Sequence, residues 1–122
     1  MNILYVENHP VFTENVVRQF LLQHRVSVVP SISAAHLAIK DGSFDVLLVD
    51  YDLDDGKGSE LVQSLRSSGN YIVIIAVSAR VEGNDALLRA GADAVCSKME
   101  FDEIQGVIDT AMKSCEKREH LR

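Results

Sequence analysis

Cysteine is scarce in this chain of 122 residues, and the two present exclude more than they suggest. Cys96 and Cys115 form neither a disulfide framework nor a metal-ligand spacing, so they read as a core thiol and a surface thiol in a reducing cytoplasm. No apolar stretch approaches the roughly 18 residues that a membrane span needs. The opening Met1-Asn2-Ile3-Leu4 also lacks a signal-peptide pattern. Basic residues are in deficit. Twelve Lys and Arg against 18 Asp and Glu leave a net charge of −6, which disfavours direct binding to nucleic acid. Internal repeats, low-complexity tracts and linkers are all missing.

What is present is ordinary globular material, 47% apolar and 25% charged, enough for one domain that needs no staples. Strand-like and helix-like segments alternate five times. Ile3-Leu4-Tyr5-Val6 is followed by a helix opening at Pro10, with Phe12, Val16, Val17, Phe20 and Leu21 as its apolar stripe. Val26 to Val29 is a second strand, and Ser33 is the expected N-cap of a helix stopped by Gly42. A third strand, Val46 to Val49, leads into the acidic, glycine-bearing loop Asp52 to Gly58 and a helix marked by Leu61, Val62 and Leu65. The fourth strand, Ile72 to Val77, precedes a helix with Ala86, Leu87 and Ala90 inward. A fifth, about Ala92 to Ser97, precedes one carrying Ile104, Val107, Ile108, Ala111 and Met112. The charged segment Lys113 to Arg122 is expected to be a solvated tail, either the frayed end of that helix or the start of a linker. Such alternation implies βαβ units, parallel pairing and right-handed crossovers.

Continuous apolar runs without helical period are strands buried on both faces of a parallel sheet. Three of them end on different polar residues, Asp50, Ser78 and Lys98. Ligands of open parallel sheets bind outside the carboxyl ends of the strands. A carboxylate, a hydroxyl and an ammonium therefore converge on one rim, a set suited to handling a phosphoryl group. Taken singly, each residue has a plainer reading: a strand-end Asp as a cap or turn residue, Ser78 as a turn residue, Lys98 as a solvated lysine. His9, His24, His36 and His120 pair with no second ligand in sequence and read as surface or cap residues.

Phe44-Asp45-Val46-Leu47-Leu48-Val49-Asp50, the Ser78-Ala79 pair, and Ala90-Gly91-Ala92-Asp93 followed by Lys98 occur in order with the right element between each pair. From Ile3 to about Met112 the chain thereby resembles the receiver domain of bacterial two-component response regulators. The resemblance implies a flavodoxin-like, doubly wound α/β fold: a five-stranded parallel sheet of order 2-1-3-4-5 with helices on both faces. It makes residues 1–122 a single receiver domain. It also implies that Asp50 accepts a phosphoryl group from a sensor histidine kinase or phosphotransfer protein, and that the signal passes to a downstream protein target. Lys98 would pair with a phosphoryl oxygen and Ser78 would donate a hydrogen bond, while Ala79 leaves the nucleophile open. Glu7, Asn8, Asp50 and the main-chain carbonyl of Asp52 would hold Mg²⁺, a hard cation that takes oxygen ligands. On this reading the chain is a phosphoacceptor and not an enzyme acting on a separate substrate.

Three positions depart from the family pattern. Asn8 stands where a second acid is usual, which weakens the expected Mg²⁺ site; Met99 stands where proline usually follows the lysine; and Val95 replaces an aromatic residue of the fifth strand. They leave open an interaction module that works without phosphorylation. Asp50-Tyr51-Asp52 also matches the nucleophile-and-acid pair of haloacid-dehalogenase-like phosphohydrolases. In those enzymes, however, the motif lies on the first strand. Asp50-x-Asp52-x-Asp54 imitates an EF-hand loop but puts Asp55 at its glycine position and Leu61 at its closing glutamate, and a strand precedes it.

Overall fold

The computed structural model describes residues 1–120, with side chains through Glu116. Its main sheet is formed by β1 (Asn2–Val6), β2 (Arg25–Val29), β3 (Val46–Val49), β6 (Val73–Ala76) and β7 (Ala94–Val95), paired in parallel in the order β2-β1-β3-β6-β7. With its five strands counted along the chain this is the expected 2-1-3-4-5 order. The helices are α1 (Pro10–Phe20), α2 (Ile32–Asp41), α3 (Gly58–Ser67), α4 (Val81–Ala90) and α5 (Ile104–His120). Among the described residues no helix is long and apolar enough to cross a membrane.

The apolar runs work as both-face strands because successive side chains alternate. Ile3 and Tyr5 of β1, Val46 and Leu48 of β3, and Val73 and Ile75 of β6 face one core with Val16 and Leu21 of the α1 segment and Ile108 and Ala111 of α5. Leu4, Val6, Leu47, Val49, Ile74 and Ala76 face the other, with Ala35 of α2, Leu61 and Val62 of α3, and Leu87 of α4. Burying each large aliphatic side chain contributes about 1.5–3 kcal/mol before conformational entropy is charged against it. Arg66 of α3 ties the far end of the molecule. Its guanidinium donates to Gly91 O (3.0 Å), Asn70 O (3.0 Å), Ile72 O (2.8 Å) and the Asp93 carboxylate (3.0 Å).

Three local expectations need correction. The fifth strand is shorter than Ala92–Ser97, because Ser97 caps a 3₁₀ turn over Lys98–Glu103, its Oγ accepting from Met99 N–H at 3.2 Å. The chain still runs beside its neighbour, through Cys96 N–H to Ala76 O and Lys98 N–H to Ser78 O. The N-cap of α2 is Ser31, not Ser33: Ser31 Oγ accepts from Ala34 N–H at 3.1 Å. Asp55 accepts from Ile32 N–H (2.7 Å) and Ser33 N–H (3.0 Å). The acidic loop is not irregular, since β4 (Asp52–Leu53) and β5 (Gly56–Lys57) form a small antiparallel hairpin. For the charged segment, the first of the two readings holds as far as the chain is described: Lys113 to His120 continue α5, and Leu121 and Arg122 lie outside the described residues.

Candidate functional site

The ends of β1, β3 and β6 and the turn after β7 deliver Glu7 and Asn8, Asp50, Ser78 and Lys98 to one rim. Strand register sets their heights: Asp50 N–H bonds Val6 O at 3.0 Å and Lys98 N–H bonds Ser78 O at 3.3 Å. The site is sunken. Glu7, Asp50 and Ser78 are each buried, and only 12% of the Lys98 side chain is exposed. Lys98 Nζ lies 2.9 Å from Glu7 Oε2 and 3.2 Å from Asp50 Oδ2, bridging two carboxylates that would otherwise repel. It also sits 5.0 Å above the Phe12 ring, a cation–π contact that helps to hold a half-dehydrated ammonium in place.

The charges do not balance fully. Burial pushes the Glu7 carboxyl up to about 7, with the Lys98 ammonium pulling against that rise and the Asp50 charge adding to it. Glu7 Oε1 and Asn8 Oδ1 are buried without a directed hydrogen bond among the described residues, and Glu7 Oε2 is met by the Lys98 ammonium at 2.9 Å. Asn8 donates its amide to Asp54 Oδ1 at 3.3 Å, which turns its carbonyl oxygen inward. Unsatisfied buried oxygens call for an explanation. A hard cation supplies one, since it takes oxygen donors of this kind, and the residues present fit it. The Asp52 side chain is engaged elsewhere, by Lys57 and by Arg80 at 2.8 Å.

Ser78 is the most tightly held residue of the set. Its N–H donates to Asn84 Oδ1 at 2.9 Å and its carbonyl accepts from Asn84 Nδ2 at 3.0 Å. Its Oγ accepts from Arg80 N–H at 3.2 Å, which leaves the hydroxyl proton available to another acceptor. Two glycines allow the flanking helices to start against the site. A Cβ on Gly58 would collide with Asp50 O, and one on Gly83 would stand 2.7 Å from Ser78 Oγ. Val95 is half-buried, packed among the aliphatic residues of the α2–α4 face, and Met99 is exposed.

The expected residues Glu7, Asp50 and Lys98 are thus brought into mutual contact. Ser78 and Asn8 line the same rim, and Ser78 has no hydrogen bond to Asp50 among the described residues. Asn84 was not anticipated. The only signal for it was an asparagine inside a helix, where its side chain competes with the backbone. The aromatic cluster beneath Lys98 was not anticipated either: Tyr5 stacks on Phe101 at 6.0 Å, and Phe12 and Phe20 meet the same ring at 6.0 and 6.1 Å.

This arrangement has close relatives in shape. A receiver domain structure from Methanospirillum hungatei, described as CheY-like, superposes with a TM-score of 0.82 at 21% identity, covering 96% of this chain and 97% of that one. The response regulator TrrA of Thermotoga maritima, in complex with Mg²⁺ and BeF, superposes with a TM-score of 0.80 at 20% identity, covering 90% and 97%. In sequence, the two-component response regulator PhoP of Pseudomonas aeruginosa is 26% identical over 117 residues. Those residues are 93% of this chain and 52% of PhoP, so the chain spans about half the length of that relative. The profile of the response regulator receiver domain matches residues 3–109, nearly everything from β1 into α5. With that match, the parallel sheet in its 2-1-3-4-5 order and a lysine bridging two acids at its carboxyl rim, the chain belongs to the response regulator receiver domain family of two-component signalling.

Proposed function

We propose that this chain accepts a phosphoryl group on Asp50 from a phosphohistidine of a sensor histidine kinase or phosphotransfer protein, and signals through contacts with a downstream protein. One observation carries the reading. Lys98 is shared between Glu7 and Asp50 beside buried oxygens of Glu7 and Asn8 that have no directed hydrogen bond. In the transfer, an Asp50 oxygen forms the new bond to phosphorus as the phosphorus–nitrogen bond breaks, and its electron pair leaves on the imidazole. Such transfers depend mostly on positioning and on neutralising charge over the equatorial oxygens. Lys98, 3.2 Å from the nucleophile, meets one of those oxygens with an ammonium. Ser78 donates its hydroxyl proton to another, and the small side chain of Ala79 leaves the approach open. Receiver domains generally bind Mg²⁺. Here Glu7, the Asn8 amide oxygen, Asp50 and the Asp52 main-chain carbonyl would hold it, and it supplies further positive charge to the transferring group.

The Asp50 carboxyl is therefore a phosphoacceptor that assists only its own labelling and hydrolysis. Intact-mass measurement after incubation with Mg²⁺ and a small phosphodonor tests this directly. The native protein should gain one phosphoryl group and Asp50→Asn none, with an unchanged fold because the substitution removes charge and little packing. Label persisting on the variant would displace Asp50 from the role. A native chain that never labels would favour the interaction module that Asn8 and Met99 suggested.

A further inference from the structure

Asn84 lies in the first turn of α4, 6% exposed, with both ends of its amide engaged by a single residue. We infer that Asn84 is a positioning residue for the phosphoryl site: it locks the Ser78 peptide to α4, so that Ser78 and the start of that helix move as one body. The inference rests on the proposed phosphoryl acceptance at Asp50.

The need arises where β6 stops. Val77 N–H still bonds Val49 O across the sheet, but Ser78 lies past the last paired residue of β6 and, among the described residues, its buried N–H finds its acceptor in Asn84. Buried backbone groups require partners. Asn84 meets this need from a helix, reading N–H and carbonyl of the same residue with its acceptor and donor (2.9 and 3.0 Å). The carbonyl it holds is the one that also accepts from Lys98 N–H at 3.3 Å. Hydrogen bonds thus run without a break from α4 through the Ser78 peptide to the backbone of Lys98. Gly83 adds a second tie. Its missing side chain brings the turn down until a Cβ would stand 2.7 Å from Ser78 Oγ and 3.0 Å from Tyr51 Cβ. Adjacent residues of one helix therefore grip the same serine. Helix propensity does not explain an asparagine here, because it is a weak helix former. When the Ser78 hydroxyl engages an anion on Asp50, the movement is passed to α4 and is not absorbed by Ala79 and Arg80 between them.

Amide chemical shifts test this, with Mg²⁺ and beryllofluoride as the probe standing in for the phosphoryl group. In the native protein the probe should shift Ser78, Glu82 and Asp85 together. In Asn84→Ala the shift at Ser78 should persist, while those at Glu82 and Asp85 fall by roughly half or more as the direct tie is lost. The Ser78 amide, deprived of its acceptor, should exchange with solvent about tenfold faster or more. Asn84→Asp keeps the acceptor for Ser78 N–H and loses the donor to its carbonyl. It should fall between the two, and it covers the case in which the alanine variant does not fold. A variant that is less stable yet keeps the native ratio of α4 to Ser78 shifts would overturn the inference. A native protein with no shift anywhere would overturn the phosphoryl reading and this inference with it, a failure visible before any variant is made.

Discussion

Removing the Lys98 ammonium would leave two carboxylates facing each other below the surface, with the Glu7 and Asp50 side chains 0% and 7% exposed. Lys98→Met should therefore lower unfolding free energy near neutral pH by about 3–5 kcal/mol, the usual effect of breaking a buried pair. The pH dependence has a definite sign. Glu7 already titrates near 7 when folded, above the ordinary carboxylate range, so its folded form favours the proton. A raised carboxyl pKa stabilises below the unfolded value and loses that advantage as pH rises through the folded one. Without Lys98 the rise is steeper, so urea melts of variant and native protein should converge toward pH 4 and diverge by pH 8. Parallel curves would mean that Lys98 does not hold these acids. At the neighbouring position, Asn8→Asp puts a charge on a side chain whose oxygen is buried at the same rim. After desolvation and repulsion from Glu7 and Asp50, a net gain on the order of 1–3 kcal/mol in Mg²⁺ binding is expected, about ten- to a hundredfold. Titration calorimetry with Mg²⁺ alone measures it, and an unchanged affinity would remove the cation from this corner.

At the scale of elements, α2 depends on a group from another part of the chain. Asp55, at the tip of the β4–β5 hairpin, accepts from the first two N–H groups of α2, and those bonds hold its carboxyl below the usual carboxylate range. A depressed pKa stabilises above the unfolded value and is lost as pH falls through the folded one. Asp55→Ala should lower the melting temperature at pH 7, and the difference should shrink below about pH 4, where an ordinary aspartate titrates. A constant difference would mean that packing of the hairpin, not its charge, matters. The same contact shows why part of the architecture was legible in sequence and part was not. β1, β3 and β6 announced themselves because a strand buried on both faces has to be apolar throughout. The rim residues followed from where those runs stop. The cap of α2 did not, since Ser31 and Ser33 are equally good by composition and a carboxylate 22 residues away from Ser33 completes the choice. The hairpin was hidden by its Asp and Gly content. Asn84 was hidden because a side-chain bond to backbone six residues earlier leaves no period in the sequence.

Taken whole, the molecule has two cores that share their central strands, so neither can be lost alone. Leu4, Leu47 and Ile74 face one core while Tyr5, Leu48 and Ile75 face the other, each side drawing on the same backbone. Unfolding should be a single cooperative transition. Near-ultraviolet ellipticity from the Tyr5–Phe101 side and far-ultraviolet ellipticity from all the helices should give coincident melts, and separated midpoints would show two independent halves. Tyr5 has one more consequence. Its hydroxyl is buried without a hydrogen-bond partner, and burial, reinforced by the charges of Glu7 and Asp50, keeps the phenol neutral. The chain contains no tryptophan, and of its other tyrosines Tyr71 is exposed and Tyr51 half-buried. A neutral chromophore in a dry setting, within the field of two acids, changes colour when that field changes. Filling the rim with cation or anion should then displace the tyrosine absorption band, which makes Tyr5 an optical gauge of site occupancy that needs no added dye.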